Sequence, residues 1–117
     1  MDLNEYQILT QATLLEKNGP SLLNAGLGLS GESGEVADLI KKHLFHNKWV
    51  TKEELLLEIG DVLYYVALAA SSLNTTLADV AEMNIRKLWK RYPEKAQAYL
   101  DTLSETDAVN KSVYLEQ

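Results

Sequence analysis

Apolar positions along this chain recur at helical rather than strand spacing. From Asn4 to about Lys17, Ile8, Ala12 and Leu15 stand at i, i+4 and i+7, which predicts a first helix with one buried face. The segment "KNGPS" ends it through Gly19 and Pro20. A second helical pattern runs from near Leu27 to Phe45, with Val36, Leu39, Ile40 and Leu44 on one side and Lys41 and Lys42 on the other. Thr51 followed by Glu54 reads as a capping box, opening a third helix that continues to about Leu73. After the break "NTT", Thr76 with Asp79 repeats the cap signal. Leu77, Val80, Ala81, Leu88 and Trp89 then give a fourth amphipathic helix reaching Tyr92, before Pro93. Glu94 to Leu103 reads as a short fifth helix, and residues 104–117 as a polar tail. With no alternating strand pattern, repeat or linker, the expectation is all-α: one four-helix-bundle-like domain over residues 1–103, followed by the tail.

Composition narrows the function classes. A chain of 117 residues with 46% hydrophobic residues has the makeup of one domain with a real core. Eleven basic against 17 acidic residues leave a net charge of −6, which repels nucleic acid and anionic membranes. The chain has no cysteine, which excludes a thiolate nucleophile and a sulfur-rich metal site and fits a cytoplasmic location. "MDLNEYQ" is unlike a signal peptide. The longest apolar run, Leu55 to Ala70, carries two acids and falls short of the roughly 20 residues of a membrane span. No nucleic-acid or membrane partner is therefore expected.

The stretch "GLGLSGESGE" raises a choice between a phosphate loop and a metal site. Gly26, Gly28 and Gly31 satisfy G-x-G-x-x-G, but that fingerprint needs a preceding β-strand inside a βαβ unit, and the surroundings here are helical. Glycine at Gly31 and Gly34 costs about 1 kcal/mol each relative to alanine in a helix. Close approach of a helix backbone or of a ligand would account for that cost.

Glu32 and Glu35 lie one helical turn apart on one face, and Glu58 and Asp61 repeat the arrangement on the third helix. None of the four has a cation at i+3 or i+4, whereas Asp38 has Lys41 and Lys42 there and Glu54 has its cap. Glu58 and Asp61 also interrupt a run that is apolar all round, which predicts their burial in the bundle. Buried charges are tolerated when paired or when they hold a metal. Facing each other across the bundle, the two pairs would make a four-oxygen site. Carboxylates without Cys or His select Mg²⁺, Mn²⁺ or Ca²⁺. A di-iron bundle would want Glu-x-x-His repeats, which neither motif provides. His43 and His46 read as ordinary histidines. Mg²⁺ in such a cage meets substrate phosphates, and Asn84, Lys87 and Arg91 form one polar stripe of the fourth helix that either contacts phosphates or is simply solvated. Lys41 and Lys42 carry the same two readings. Tyr6, Trp49, Trp89 and Tyr92 are either stacking aromatics or packing residues.

"GLSGESGEVADLIKK", "KEELLLEIGDVLYYVALAA" and "NIRKLWKRYP", with "NEYQ" near the start, resemble the MazG-like nucleoside triphosphate pyrophosphohydrolases of the all-α NTP pyrophosphatase superfamily, over about Asn4 to Pro93. The resemblance implies Mg²⁺-dependent cleavage between the α- and β-phosphates of a (deoxy)nucleoside triphosphate, with Mn²⁺ as a substitute. It implies Glu32, Glu35, Glu58 and Asp61 as metal ligands. Asn84, Lys87 and Arg91 match the family's N-x-x-K-x-x-x-R segment and would contact phosphates, with Lys42 beside them. Glu35 is the choice for a proton-accepting base, although spacing does not separate ligand from base. A single copy of the module implies a homodimer or a dimer of dimers, and a role in clearing unwanted or surplus nucleotides. The competing readings are a related enzyme acting on phosphoribosyl-ATP or dUTP, and a non-catalytic helical module that binds nucleotide or protein.

Overall fold

The structure, a computed structural model, describes residues 1–14 and 19–116. Its helices are α1 (Leu3–Thr10), α2 (Leu22–Phe45), α3 (Lys52–Ser72), α4 (Leu77–Arg91), α5 (Pro93–Leu100) and α6 (Glu105–Ser112), with short 3₁₀ turns at Gln11–Thr13 and Val113–Leu115. Among the described residues there is no strand, so the all-α expectation holds. The chain divides into two compact units, Met1–Leu77 and Ala78–Gln117. This boundary falls at the start of α4.

In the first unit, α2 begins five residues before the predicted Leu27. Ser21 caps it by accepting from the Asn24 amide at 3.1 Å, immediately after Pro20. Gly26 and Gly28 therefore lie inside the helix. The capping box predicted for α3 is present in both directions: Glu54 accepts from the Thr51 amide at 2.7 Å, and Thr51 Oγ1 from the Glu54 amide at 3.1 Å. A Schellman motif ends α3. Asn74 takes positive φ, its amide donates to Ser71 O, and the Thr75 amide donates to Ala70 O.

α2 and α3 run antiparallel. Gly28 of α2 lies against Tyr65 of α3, and one turn further along α2 the Glu32 carboxylate lies with that of Asp61, one turn earlier on α3. Continuing that register by three residues on each helix sets Glu35 across from Glu58.

α1 packs differently from its expected face. Ile8 and Ala12 are exposed, and Leu15 and Lys17 lie outside the described residues. The helix instead buries Gln7 and packs Tyr6 against Ala67, Ala70 and Leu77. Gln7 is buried because all its amide atoms find partners: Nε2 donates to Ser71 Oγ and Thr75 O, both at 2.9 Å, and Oε1 accepts from the Leu77 amide at 2.7 Å. One side chain thereby ties α1 to the end of α3 and the first residue of α4.

The predicted burial of α3 along its whole length is corrected. Ala67, Leu68 and Ala70 are buried, whereas Leu56, Leu57, Ile59 and Leu63 are exposed. At that end α2 covers one side of the helix only, where Leu55, Glu58 and Val62 are half-buried. By length and composition alone α3 also qualifies as a helix able to cross a membrane. The contrary expectation rests on the shortness of the apolar run 55–70 as well as on Glu58 and Asp61, and the helix itself is 21 residues long.

In the second unit, Pro93 opens α5 at a position that needs no amide donor. The polar "tail" is helical: Ser104 caps α6 by accepting from the Asp107 amide at 3.2 Å. The segment is anchored by Tyr114, whose ring meets Trp89 at 5.8 Å edge-on, and by Arg86, which donates to Val113 O at 2.8 Å and stacks over Tyr114. Polarity had hidden the one aromatic that supplies the anchor.

Candidate metal centre

The antiparallel register of α2 and α3 brings carboxylates together from residues far apart in sequence. Glu32, Glu58 and Asp61 each offer an oxygen, and these oxygens lie within 4.8 Å of one another. Among the described residues this is the one group of three or more His, Asp or Glu side chains so gathered. Glu32 and Glu58 are half-buried and Asp61 is exposed, so the predicted full burial of the second pair is not found within one chain.

Glu35 lies outside the group. Its position on the register faces Glu58, and its charge reaches Glu32, but its side chain is exposed. Partial desolvation first, then the negative charges of Asp61, Glu58 and Glu35, hold the Glu32 carboxyl above its ordinary range. Among the described residues, the charges acting on Glu32 are all negative. Like charges so close repel, and a cation among them would relieve the repulsion.

The donor set fits a hard divalent ion. Oxygens around Mg²⁺ at about 2.1 Å stand roughly 3–4 Å apart, so small side-chain rotations would bring this group to coordination distance. Neither histidine belongs to it. His43 Nδ1 is 3.4 Å from Lys48 O and its ring meets Trp49 at 6.4 Å.

An open cavity of about 380 Å³ adjoins the carboxylates, lined by Thr13, Glu32, Asp61, Tyr64 and Tyr65. Tyr64 and Tyr65 meet edge-on at 5.1 Å, and the Thr13 hydroxyl lies 3.5 Å from Tyr64 OH. Tyr6 stands close enough to Asp61 that burial first, and then that negative charge, raise its phenol pKa. The sequence reading missed these tyrosines as wall residues. The signal was present, since Tyr64 and Tyr65 occupy i+3 and i+4 after Asp61 and must share its face.

The basic candidates divide between the two units. Lys42 belongs to the first and is engaged with Asp38 at 2.7 Å; that hydrogen bond lowers the aspartate pKa and raises the lysine's. Asn84, Lys87 and Arg91 belong to the second, all exposed along α4. Of the four candidate aromatics, Tyr6 and Trp89 pack, whereas Trp49, 79% exposed, and Tyr92 do not.

The close approach of a helix backbone, one of the two expected at Gly31 and Gly34, is not found among the described residues: an added methyl group at either would meet nothing within 4 Å. The close approach occurs at Gly28, where such a methyl would overlap the Tyr65 ring.

Comparison with known proteins gives this arrangement a family. Over 69 residues the chain is 39% identical to the Gene 37 protein of Mycobacterium phage L5, covering 56% of this chain and 60% of that one. The chain thus spans about three fifths of the length of the curated relative it matches. No solved structure matches it significantly. Residues 21–96 match the MazG nucleotide pyrophosphohydrolase domain, a span that includes α2, α3, α4 and every carboxylate of the cluster. The match covers well over half of the chain, so the protein belongs to the MazG nucleotide pyrophosphohydrolase family.

Proposed function

We propose that the protein hydrolyses nucleoside triphosphates, deoxynucleotides among them, between the α- and β-phosphates, releasing a monophosphate and pyrophosphate with the help of Mg²⁺. The observation that carries this reading is the convergence of Glu32, Glu58 and Asp61 from two helices, where, among the described residues, the charges acting on Glu32 are negative. Family membership supplies the substrate class.

Glu32, Glu58 and Asp61 would hold the ion. When bound, it supplies Lewis-acid polarisation of phosphoryl oxygens and offsets the charge of the departing pyrophosphate. It also lets an anionic substrate approach a chain of net charge −6. Glu35, exposed beside the cluster, keeps oxygens free to accept a proton from the attacking water. Asn84, Lys87 and Arg91 are phosphate-contact candidates by their match to the family's N-x-x-K-x-x-x-R segment alone, and Lys42 would exchange Asp38 for a phosphate oxygen. The cellular role is the removal of surplus or unwanted nucleotides in the cytoplasm.

The working form is a homodimer or a dimer of dimers. Support comes from α3, where Leu56, Leu57, Ile59 and Leu63 are exposed beside the acidic turn. Apolar surface of that extent beside a polar site is typical of an interface. A second copy would cover it and complete the burial of Glu58 and Asp61.

The test is product analysis with a panel of ribo- and deoxynucleoside triphosphates, with and without Mg²⁺. Monophosphate and pyrophosphate formed only with the metal are the expected result. Diphosphate and phosphate would reject the reading, and metal-independent turnover would reject the role of the carboxylates.

A further inference from the structure

We propose that Gly28 is a positioning residue of the acidic site, acting through the ring of Tyr65. This rests on the reading of Glu32, Glu58 and Asp61 as a metal site. Gly28 stands one turn before Glu32 on α2, and Tyr65 one turn after Asp61 on α3. The glycine and the ring meet where the two helices cross nearest the carboxylates. A methyl group at Gly28 would overlap three atoms of the ring, Cδ1, Cε1 and Cζ. The other glycines of these helices, Gly26, Gly31, Gly34 and Gly60, have nothing within 4 Å of an added methyl.

Only at Gly28, then, does the absence of a side chain let something in. What it admits is a wall of the cavity that also contains Glu32 and Asp61. The ring sits against the α2 backbone and is braced on its other side by Tyr64, edge-on at 5.1 Å. It cannot retreat without moving α3 or swinging into the cavity. Either movement changes the separation of Asp61 from Glu32, because each lies one turn from the contact. Side-chain bulk at Gly28 is therefore converted into displacement of metal ligands. The ring, not the hydroxyl, makes the contact.

The experiment measures Mn²⁺ affinity by electron paramagnetic resonance of the free ion, on full-length proteins shown by circular dichroism to be folded. Wild type, Gly26→Ala, Gly28→Ala, Tyr65→Ala and the double variant Gly28→Ala/Tyr65→Ala are compared. Gly28→Ala is expected to weaken Mn²⁺ binding about tenfold, yet by less than about twofold when added to Tyr65→Ala, the non-additivity of residues in contact. Gly26→Ala keeps the wild-type affinity. Wild-type affinity in Gly28→Ala, or an equal loss in both backgrounds, would overturn the proposal, as would a matching loss in Gly26→Ala. Should Gly28→Ala alone fail to fold, a folded double variant that binds like Tyr65→Ala supports the proposal, and an unfolded one overturns it. Absence of Mn²⁺ binding by the wild type is a separate outcome: it rejects the metal site itself, and this proposal with it.

Discussion

The two halves of α3 differ both in composition and in surroundings. Its C-terminal half buries Ala67, Leu68 and Ala70 and is secured by α1, through Tyr6 and the three hydrogen bonds of Gln7. Its N-terminal half mixes Leu55, Leu56, Leu57 and Ile59 with charged residues; Leu57 is 66% exposed, and beside these side chains sit Glu58 and Asp61. One half does its packing inside the chain. The other carries the acidic cluster and exposes Leu56, Leu57 and Ile59. On the proposed reading, stability and function are separated along a single helix, and each can be perturbed without the other.

The largest expected effect is on the functional half. Glu58→Gln or Asp61→Asn lowers pyrophosphate release about 10²-fold or more, the scale of losing one preorganised electrostatic contact in a reacting site. Metal-free thermal stability stays level or rises, because a mutual repulsion is removed. Loss of fold in both variants would show the acids to be structural and break the separation.

On the packed half, Gln7→Ala leaves the Leu77 amide and Thr75 carbonyl without their partner. It costs about 2–4 kcal/mol by denaturant unfolding, the scale of orphaning buried polar groups. Unchanged stability would mean that water replaces the amide.

The exposed leucines supply the next test. Leu57→Glu lowers the mass measured by light scattering to that of one chain, while the monomer keeps its helical circular dichroism. An unchanged oligomer would place the interface elsewhere, and a wild type already monomeric would remove the proposed second copy.

The smallest effect belongs to the start of α3. Hydrogen bonds from Thr51, first its backbone amide, hold Glu54 below its ordinary pKa of 4.5. A depressed folded pKa means that the cap contributes fully above that ordinary value and is lost as pH falls through the lowered one. Melting temperatures followed from pH 7 into the acid range should therefore fall less steeply for Glu54→Gln than for wild type. Parallel profiles would show the cap to be energetically silent.

What could be read in the sequence follows the reach of each interaction. The capping box of Thr51 and Glu54, the break at Asn74 and the opening of α5 at Pro93 are set within a few residues, and all were legible. The carboxylate pairs were legible as pairs, because helical spacing alone puts Glu58 beside Asp61. That Glu32 joins them while Glu35 stands outside depends on the register of α2 against α3, which no local pattern encodes. The Gln7 latch bridges residues about seventy positions apart and looks in sequence like any polar residue on a helix. The glycine that matters was misjudged for the same reason: Gly28 is distinguished only by Tyr65 opposite it. Burial of α3 was overread because apolarity records what a surface wants and not which chain provides it.

The central claim is that the carboxylates gathered between α2 and α3 hold the ion for α–β cleavage. The most direct measurement is ³¹P nuclear magnetic resonance of the protein incubated with a deoxynucleoside triphosphate and Mg²⁺, run in parallel with Asp61→Asn. The account predicts that the triphosphate signals give way to those of pyrophosphate and a monophosphate in the wild type and persist in Asp61→Asn and in excess chelator. Inorganic phosphate with a diphosphate, or equal pyrophosphate production by Asp61→Asn, would contradict it.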